Sequence, residues 1–507
     1  MNENLYILLR KNFPKSKESL FTTTPSGSQI AYSDVDNLTA RLAGALRTLG
    51  LGHGDRLISS VEKSPEALLL YLAILRLGAI LVPLNTAYTI REFRYFVDDI
   101  KPKVVVVRPD IDTEQESVAN ASGAKIATLG INNTGSLYHL MLNSDPIHAI
   151  EPVKTSDIAS IIYTSGTTGT PKGAMLSHGN LISNAVSLNK IWGFRADDVL
   201  MHALPIFHVH GLFVAVHCAM LSGCEMIYLP KFEIDMVINL LPSATVLMGV
   251  PTFYTRLLED HRLNEQICQN MRLFISGSAP LLPQTWESFL TRTGHKILER
   301  YGMTETGMIA SNPLNGKRIP GTVGFALPDV TLRVCNDDGT VIPTNEEQPG
   351  ILELRGPNVF EGYWRKANST QSEFRKDGFF ISGDVAQMAS NGRITIVGRK
   401  KDVVISGGLN IYPREIENCL NQLSGITESA VIGIPHSDYG EILVAIVAGD
   451  SDLIPNEEDI ISLLRFDLAR FKIPRRVFCL DQLPKNTMGK IQKDILKNRY
   501  MQLVSNS

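Results

Sequence analysis

Between Tyr163 and Gly173 the chain reads Tyr-Thr-Ser-Gly-Thr-Thr-Gly-Thr-Pro-Lys-Gly. Gly166 and Gly169 let backbone N–H groups turn toward an anion. Thr164, Ser165, Thr167 and Thr168 add hydroxyl donors, and Lys172 adds a positive charge. Together these make a phosphate cradle; the plainer alternative is a polar turn. A Walker loop is excluded by spacing. It needs GxxxxGK[ST], whereas here Gly166 and Gly169 are three apart and Gly173 follows Lys172.

Other chemistry-bearing residues are spread along the chain. Glu305, in Tyr301-Gly-Met-Thr-Glu-Thr306, offers a carboxylate to a hard cation such as Mg²⁺, and Thr304 offers a hydroxyl to a phosphate. The Tyr301 ring can stack on a base. Asp384, in Ser382-Gly383-Asp384, can accept two neighbouring hydroxyls, and Arg399 can donate to a sugar or a phosphate. Lys490 ends Pro484-Lys-Asn-Thr-Met-Gly-Lys, where its point charge suits an anionic transition state. Singly, each is as readily a turn residue, a core ring or a surface lysine. His208 and His210 lack a third ligand for a metal.

Taken in order, these segments resemble those of the adenylate-forming enzymes: acyl-CoA synthetases, luciferases and peptide-synthetase adenylation domains. The Tyr163–Gly173 segment looks like their phosphate loop and Leu204-Pro-Ile-Phe-His208 like their aromatic–histidine segment. Tyr301–Thr306 looks like their adenine and magnesium segment, Asp384 with Arg399 like their ribose pair, and Lys485–Lys490 like their catalytic-lysine loop. The resemblance implies ATP, Mg²⁺ and coenzyme A as cofactors. It implies an ATP site of Thr164, Ser165, Gly166, Thr167, Thr168, Gly169, Lys172, Gly277, Ser278, Ala279, Glu299, Arg300, Tyr301, Gly302, Met303, Thr304, Asp384 and Arg399. Lys490, Thr304, Glu305 and His208 would be catalytic, with Glu305 on the metal and His208 gating the adenylate. It also implies a C-terminal domain that rotates about Lys401 between half-reactions, bringing Ser406, Gly407 and Gly408 up to the pantetheine arm of CoA.

The acid is narrowed by charge. Residues 202–217 contain no Asp or Glu, so the ammonium of an amino acid would be buried there without a partner. Val250-Pro-Thr-Phe-Tyr-Thr-Arg256 opens a helix with Pro251 at its start. Arg256 is expected to be buried one turn beyond Thr252, and a buried guanidinium needs an anion. The second carboxylate of a short diacid would supply one. The other reading is an exposed arginine paired with Glu259 or Asp260. Ala87-Tyr-Thr89, His208–Leu212, Val250–Arg256, Phe274–Leu281 and Glu299–Glu305 resemble malonyl-CoA synthetases in particular. That resemblance implies a distal carboxylate held by Arg256 and Ser278, with His210 nearby. Short- or medium-chain fatty acyl-CoA synthesis stays open as an alternative, as does a non-catalytic nucleotide-binding homologue.

Elements must hold these residues in place. The chain has 507 residues, with 49 Lys+Arg against 52 Asp+Glu. A net charge of −3 gives no global field for nucleic acid or an anionic membrane. The most apolar stretch, Ala67–Leu84, is interrupted by Arg76 and closed by Pro83, so a buried helix and strand are expected, not a membrane span. Residues 1–19 lack the apolar core of a signal peptide. Six scattered cysteines without a CxxC pair suit reduced thiols in the cytoplasm. Short apolar runs at Lys103–Val107, Ser160–Tyr163, Thr245–Gly249 and Leu273–Ser276 read as buried strands, alternating with amphipathic stretches such as Arg91–Asp99 and Gly179–Ile191. The expected fold is α/β: a large N-terminal domain (1–397) of layered α/β sheets with a β-rich subdomain over Thr322–Val397, a hinge at 398–402, and a smaller mobile α+β C-terminal domain (403–507).

Overall fold

The computed structural model describes residues 2–110, 113–164, 171–344, 346, 348–406, 409–436, 439–451, 453–486 and 489–504, the last three as main chain only. The expected phosphate-loop residues Ser165, Gly166, Thr167, Thr168 and Gly169, and Gly407 and Gly408 of the CoA-side loop, lie outside the described residues.

The expected strands form where they were read, in a mixed α/β fold. Val104–Val107, Ile158–Thr164, Val246–Gly249 and Leu273–Ser276 are strands. Valine-rich runs form them because a parallel sheet covered on both faces buries every side chain, as at Val104–Val107. A nine-stranded sheet has the strands Leu298–Met303, Leu273–Ser276, Val246–Gly249, Val199–His202, Glu225–Tyr228 and Leu20–Thr23 parallel and adjacent in that order. Antiparallel strands flank both sides of this run. A second, six-stranded sheet holds Arg56–Ser60, Ile80–Pro83 and Ile158–Thr164 in parallel and ends on the antiparallel strand Lys172–Ser177. The stretch 67–84 is the buried helix Pro65–Arg76 followed by the strand Ile80–Pro83. Among the described residues no helix is long and apolar enough to cross a membrane.

A four-stranded antiparallel sheet (Thr331–Cys335, Gly350–Arg355, Phe380–Met388, Ile394–Arg399) forms the β-rich part. Its last two strands place Asp384 opposite Arg399 in register. Beyond a single 3-10 turn at Lys400–Asp402, a five-stranded sheet takes all its strands from residues 404–480, with its own apolar cluster around Val404, Ile416, Val431 and Leu464. Its helices are Pro413–Leu420, Glu457–Asp467 and Lys493–Val504. All six cysteines are free, and four are buried.

The amphipathic stretch expected at Gly179–Ile191 is the helix His178–Ile191. Before it, and not read from the sequence, Lys172–Ser177 is a strand, paired with Ile158–Thr164 so that Lys172 faces Thr164. Thr164 and Lys172 are therefore held side by side.

Candidate functional site

The site gathers at the carboxyl ends of the parallel strands of the nine-stranded sheet, the usual ligand position in open α/β sheets. Ser276, Gly249, His202 and Tyr228 end neighbouring strands there. Gly277-Ser278-Ala279 leaves the first of them with Ser278 at φ +70, a left-handed conformation that costs a non-glycine residue of order 1–3 kcal/mol. The Ser278 hydroxyl lies 3.3 Å from Nδ1 of His210, which is buried at the start of a π-helix, His210–Ala215. Wide helical turns of this kind are frequent at functional sites. His210 Nε2 has no hydrogen-bond partner among the described residues. Burial, then the charge of Arg300, holds this imidazole well below the ordinary histidine range, so it is neutral at pH 7.

Arg300 is 3% exposed. Its guanidinium is pressed beneath Gly277, where an added Cβ would stand 2.4 Å from Cζ. Its Nε and Nη2 have no partner among the described residues. Burial pushes the guanidinium down to about 9, which leaves it charged at neutral pH. Neighbouring Glu299 accepts the Gly321 N–H at 3.0 Å, and burial pushes its carboxyl up to about 8.

Asp384 is buried, accepts from the Tyr301 hydroxyl, and forms a 3.0 Å ion pair with Arg399. Asp384, Arg399 and the Tyr301 hydroxyl are thus held together by pairing within the protein. Glu305 is 6% exposed, and burial raises its carboxyl above the ordinary range. Its Oε1 lies 2.9 Å from the Tyr363 hydroxyl. Lys172 forms a 3.0 Å ion pair with Glu373. A buried carboxylate that water does not fully solvate, with the Glu373 carboxylate acting on it, fits a hard cation carrying phosphate oxygens. Met303 ends the strand and Thr304 begins the turn after it, both half-buried, and Gly302 packs against Gly307. Thr164 donates to the Lys172 carbonyl at 3.4 Å.

The C-terminal loop reaches this cleft. An added Cβ at Gly489 would stand 3.0 Å from Thr252, so the loop carrying Lys490 lies against the helix Pro251–Glu259. The Lys490 side chain remains open to solvent between protein walls. Desolvation by those walls, then Arg399, lowers its ammonium below the ordinary lysine range; Asp384 and Glu305 oppose the shift. His208 stands on the same cleft, pushed down to about 4 by burial and then Lys490, and so is neutral. Residues far apart in sequence (208, 305, 384, 399 and 490) thus share one electrostatic neighbourhood. The chain matches the AMP-binding enzyme family over residues 10–364 and the AMP-binding enzyme C-terminal domain over 415–490. It belongs to the AMP-binding enzyme family.

This AMP-binding enzyme is 35% identical over 459 residues to a mitochondrial malonate–CoA ligase of Mus musculus, which covers 83% of the chain and 78% of that relative. It is 33% identical over 479 residues to an indoleacetate–CoA ligase of Aromatoleum aromaticum, covering 92% of each. It superposes on the crystal structure of ATP-bound MatB from Rhodopseudomonas palustris with a TM-score of 0.96, at 47% identity over 99% of this chain and 100% of that one. Against apo MatB from the same organism, at the same identity and coverage, the TM-score is 0.86. The arrangement that puts Lys490 at the cleft is thus nearer the ATP-bound one.

Of the two readings of Arg256, the buried one is set aside. Arg256 is not buried: it stands exposed on the helix Pro251–Glu259. Asp260, its possible partner, is paired with Arg262 instead. Tyr363 and Glu373, which were not read from the sequence, lie against Glu305 and Lys172. The signal for Tyr363 was weak, an aromatic in a Gly-Tyr-Trp turn. Lys401 lies in the 3-10 turn, 3.9 Å from Asp494, and Ser406 ends the strand Val404–Ser406.

Proposed function

We propose that the chain is an ATP-dependent malonate–CoA ligase. One malonate carboxylate oxygen attacks the α-phosphorus of ATP, the bond to the β-phosphate oxygen breaks, and pyrophosphate leaves. The CoA sulfur then attacks the acyl carbon of malonyl-AMP and AMP leaves, giving malonyl-CoA. ATP, Mg²⁺ and coenzyme A are the cofactors. Glu305 would hold Mg²⁺, which when bound would neutralise phosphate charge. Asp384 and Arg399 take the ribose, Tyr301 and Gly277–Ala279 border the adenine, and Lys490 bridges the reacting carboxylate and phosphate.

A single observation carries the choice of acid: the buried Arg300 guanidinium, whose Nε and Nη2 lack partners among the described residues, beside His210, whose Nε2 also lacks one, and the Ser278 hydroxyl. A buried charge without a counter-ion costs several kcal/mol. An aliphatic tail would leave that cost standing, whereas the distal carboxylate of a short diacid removes it. This reading moves the buried anchor from Arg256 to Arg300, leaving Arg256 at the mouth. Pyrophosphate release with ATP and Mg²⁺ tests it on malonate, methylmalonate, succinate, acetate and octanoate. Malonate is expected to lead. Preference for octanoate would support fatty acyl activation, and no release with any acid would support a non-catalytic homologue. On its scattered free thiols we assign the chain to a reducing compartment, the cytoplasm.

We further propose a large N-terminal domain (1–397) and a mobile C-terminal domain (403–507) joined at 398–402 and pivoting at Lys401. Lys400 is tied to Asp337 of the β-rich part at 2.8 Å, while Lys401 faces Asp494 of the last helix, so the two charges belong to opposite sides of the pivot. Lys401→Pro, by fixing φ near −65°, should leave adenylate formation largely intact and slow CoA transfer at least about tenfold. Single-turnover assays of each half-reaction check this, and normal turnover would place the pivot elsewhere.

A further inference from the structure

A chain of contacts beside the reacting groups has no part in the chemistry described so far. The Lys172 ammonium donates to Glu373 Oε1 at 3.0 Å and lies over the Tyr363 ring, 4.8 Å from its centroid. Glu373 Oε2 accepts from the Tyr363 hydroxyl at 2.8 Å. That hydroxyl also lies 2.9 Å from Glu305.

The backbone makes this arrangement stiff. The Met175 N–H donates to the Gly362 carbonyl at 2.9 Å, and the Trp364 N–H to the Gly173 carbonyl at 2.8 Å. Tyr363 is therefore stapled to the strand that begins at Lys172. The Tyr363 N–H donates to Thr370 in the helix Ala367–Ser372, which Glu373 caps. The Phe360 N–H fixes the other end on the Glu305 carbonyl at 2.8 Å. The lysine side chain is 14% exposed and that of Glu373 29% exposed.

We propose that Glu373, with the Tyr363 ring beneath, is a positioning residue for ATP: it holds the Lys172 ammonium in place before the nucleotide arrives. This rests on the assignment of Lys172 to the phosphates. A lysine stem is a flexible four-carbon chain whose ordering opposes binding, and fixing it beforehand removes that cost from the encounter with ATP. An ammonium has three donors, so one held by Glu373 leaves two for phosphate oxygens. The carboxylate also weakens the pull of Lys172 on phosphate. At this partial exposure the Coulomb loss is the smaller effect.

The test is a double-mutant cycle read in the KM for ATP, with kcat, the KM for malonate and thermal melting alongside. Glu373→Ala should raise the KM for ATP roughly 5- to 30-fold, with kcat and the KM for malonate within about twofold of wild type. Glu373→Gln, whose amide oxygen still accepts from Lys172, should recover part of the loss. Added to Lys172→Ala, Glu373→Ala should change the KM for ATP by less than about twofold, because its effect passes through that lysine. An unchanged or lowered KM for ATP in Glu373→Ala, or losses that add in the double variant, would overturn the proposal. If Lys172→Ala itself leaves the KM for ATP unchanged, the phosphate assignment falls and the proposal falls with it. If Lys172→Ala raises that KM and Glu373→Ala does not, the positioning proposal alone falls.

Discussion

Lys490→Ala is expected to lower adenylate formation by about 10²- to 10³-fold while largely sparing thioester formation from supplied malonyl-AMP. The expectation follows from placement. Lys490 is brought to the cleft by a loop lying against Thr252, and its charge is felt by His208. Arg399, Asp384 and Glu305 act on it in turn. Attack of a carboxylate on a phosphate ester gathers negative charge that an ammonium at this position offsets. The second half-reaction expels AMP by thiol attack and, after the proposed domain rotation, no longer has this loop in place. pH adds a second readout. The lysine pKa is lowered, so its ammonium is complete below that value and is lost as pH rises through it. Adenylation should therefore fall on the alkaline side sooner than an ordinary lysine would dictate, and Lys490→Ala should lack that limb. Rapid-quench measurement of each half-reaction across pH separates the outcomes. Equal loss in both half-reactions would mean that Lys490 acts structurally and would count against the rotation.

The order of the nucleotide motifs and the buried parallel strands was legible because both depend on local chemistry. Glycine and threonine spacing suggests an anion cradle wherever the chain goes, and the family resemblance is what makes it a phosphate segment. An apolar run such as Val104–Val107 is a strand because water excludes it from either face. Lys172–Ser177 was not legible. Lys-Gly-Ala-Met-Leu-Ser has modest strand preference, and its extended form comes from pairing with Ile158–Thr164 and from the Gly362–Trp364 segment on its other side. Glu373 was hidden for the same reason: it meets Lys172 from 201 positions away. Arg256 misled because helical spacing gives the side of a helix but not whether that side is covered. A better signal was present in Glu299-Arg300. Two charged residues directly after Leu298 continue a strand that enters a parallel sheet covered on both faces, so their charges are buried whichever way they point. Polar residues forced into such a strand mark a ligand contact more reliably than a charge on an amphipathic helix.

Arg300→Leu is expected to cross the preference between acids instead of lowering all activity. Malonate brings a second carboxylate into a space where Arg300 is the buried cation, and losing a buried charge-assisted partner costs roughly 2–5 kcal/mol, about 30- to 5000-fold in kcat/KM. Butyrate and hexanoate carry no distal charge to strand. For them the leucine removes an unsatisfied guanidinium from an apolar wall, so their kcat/KM should hold or rise. Leucine also fills less space beneath Gly277, so melting temperature is measured beside the kinetics, and Arg300→Lys serves as a second variant. Lysine keeps the charge but loses the planar fork, and should retain part of the malonate activity. Arg256→Leu gives the internal comparison. Arg256 is exposed and must shed water to reach the same carboxylate, so its loss should cost malonate less than the loss of Arg300, about 3- to 30-fold. Parallel losses for malonate and butyrate in Arg300→Leu would make that arginine a structural brace of the Gly277 turn. A larger malonate loss in Arg256→Leu than in Arg300→Leu would return the anchor to the helix Pro251–Glu259, with the diacid reading intact. Malonate kinetics unmoved by both variants would leave the diacid without a binding charge, and the fatty-acid alternative would take its place.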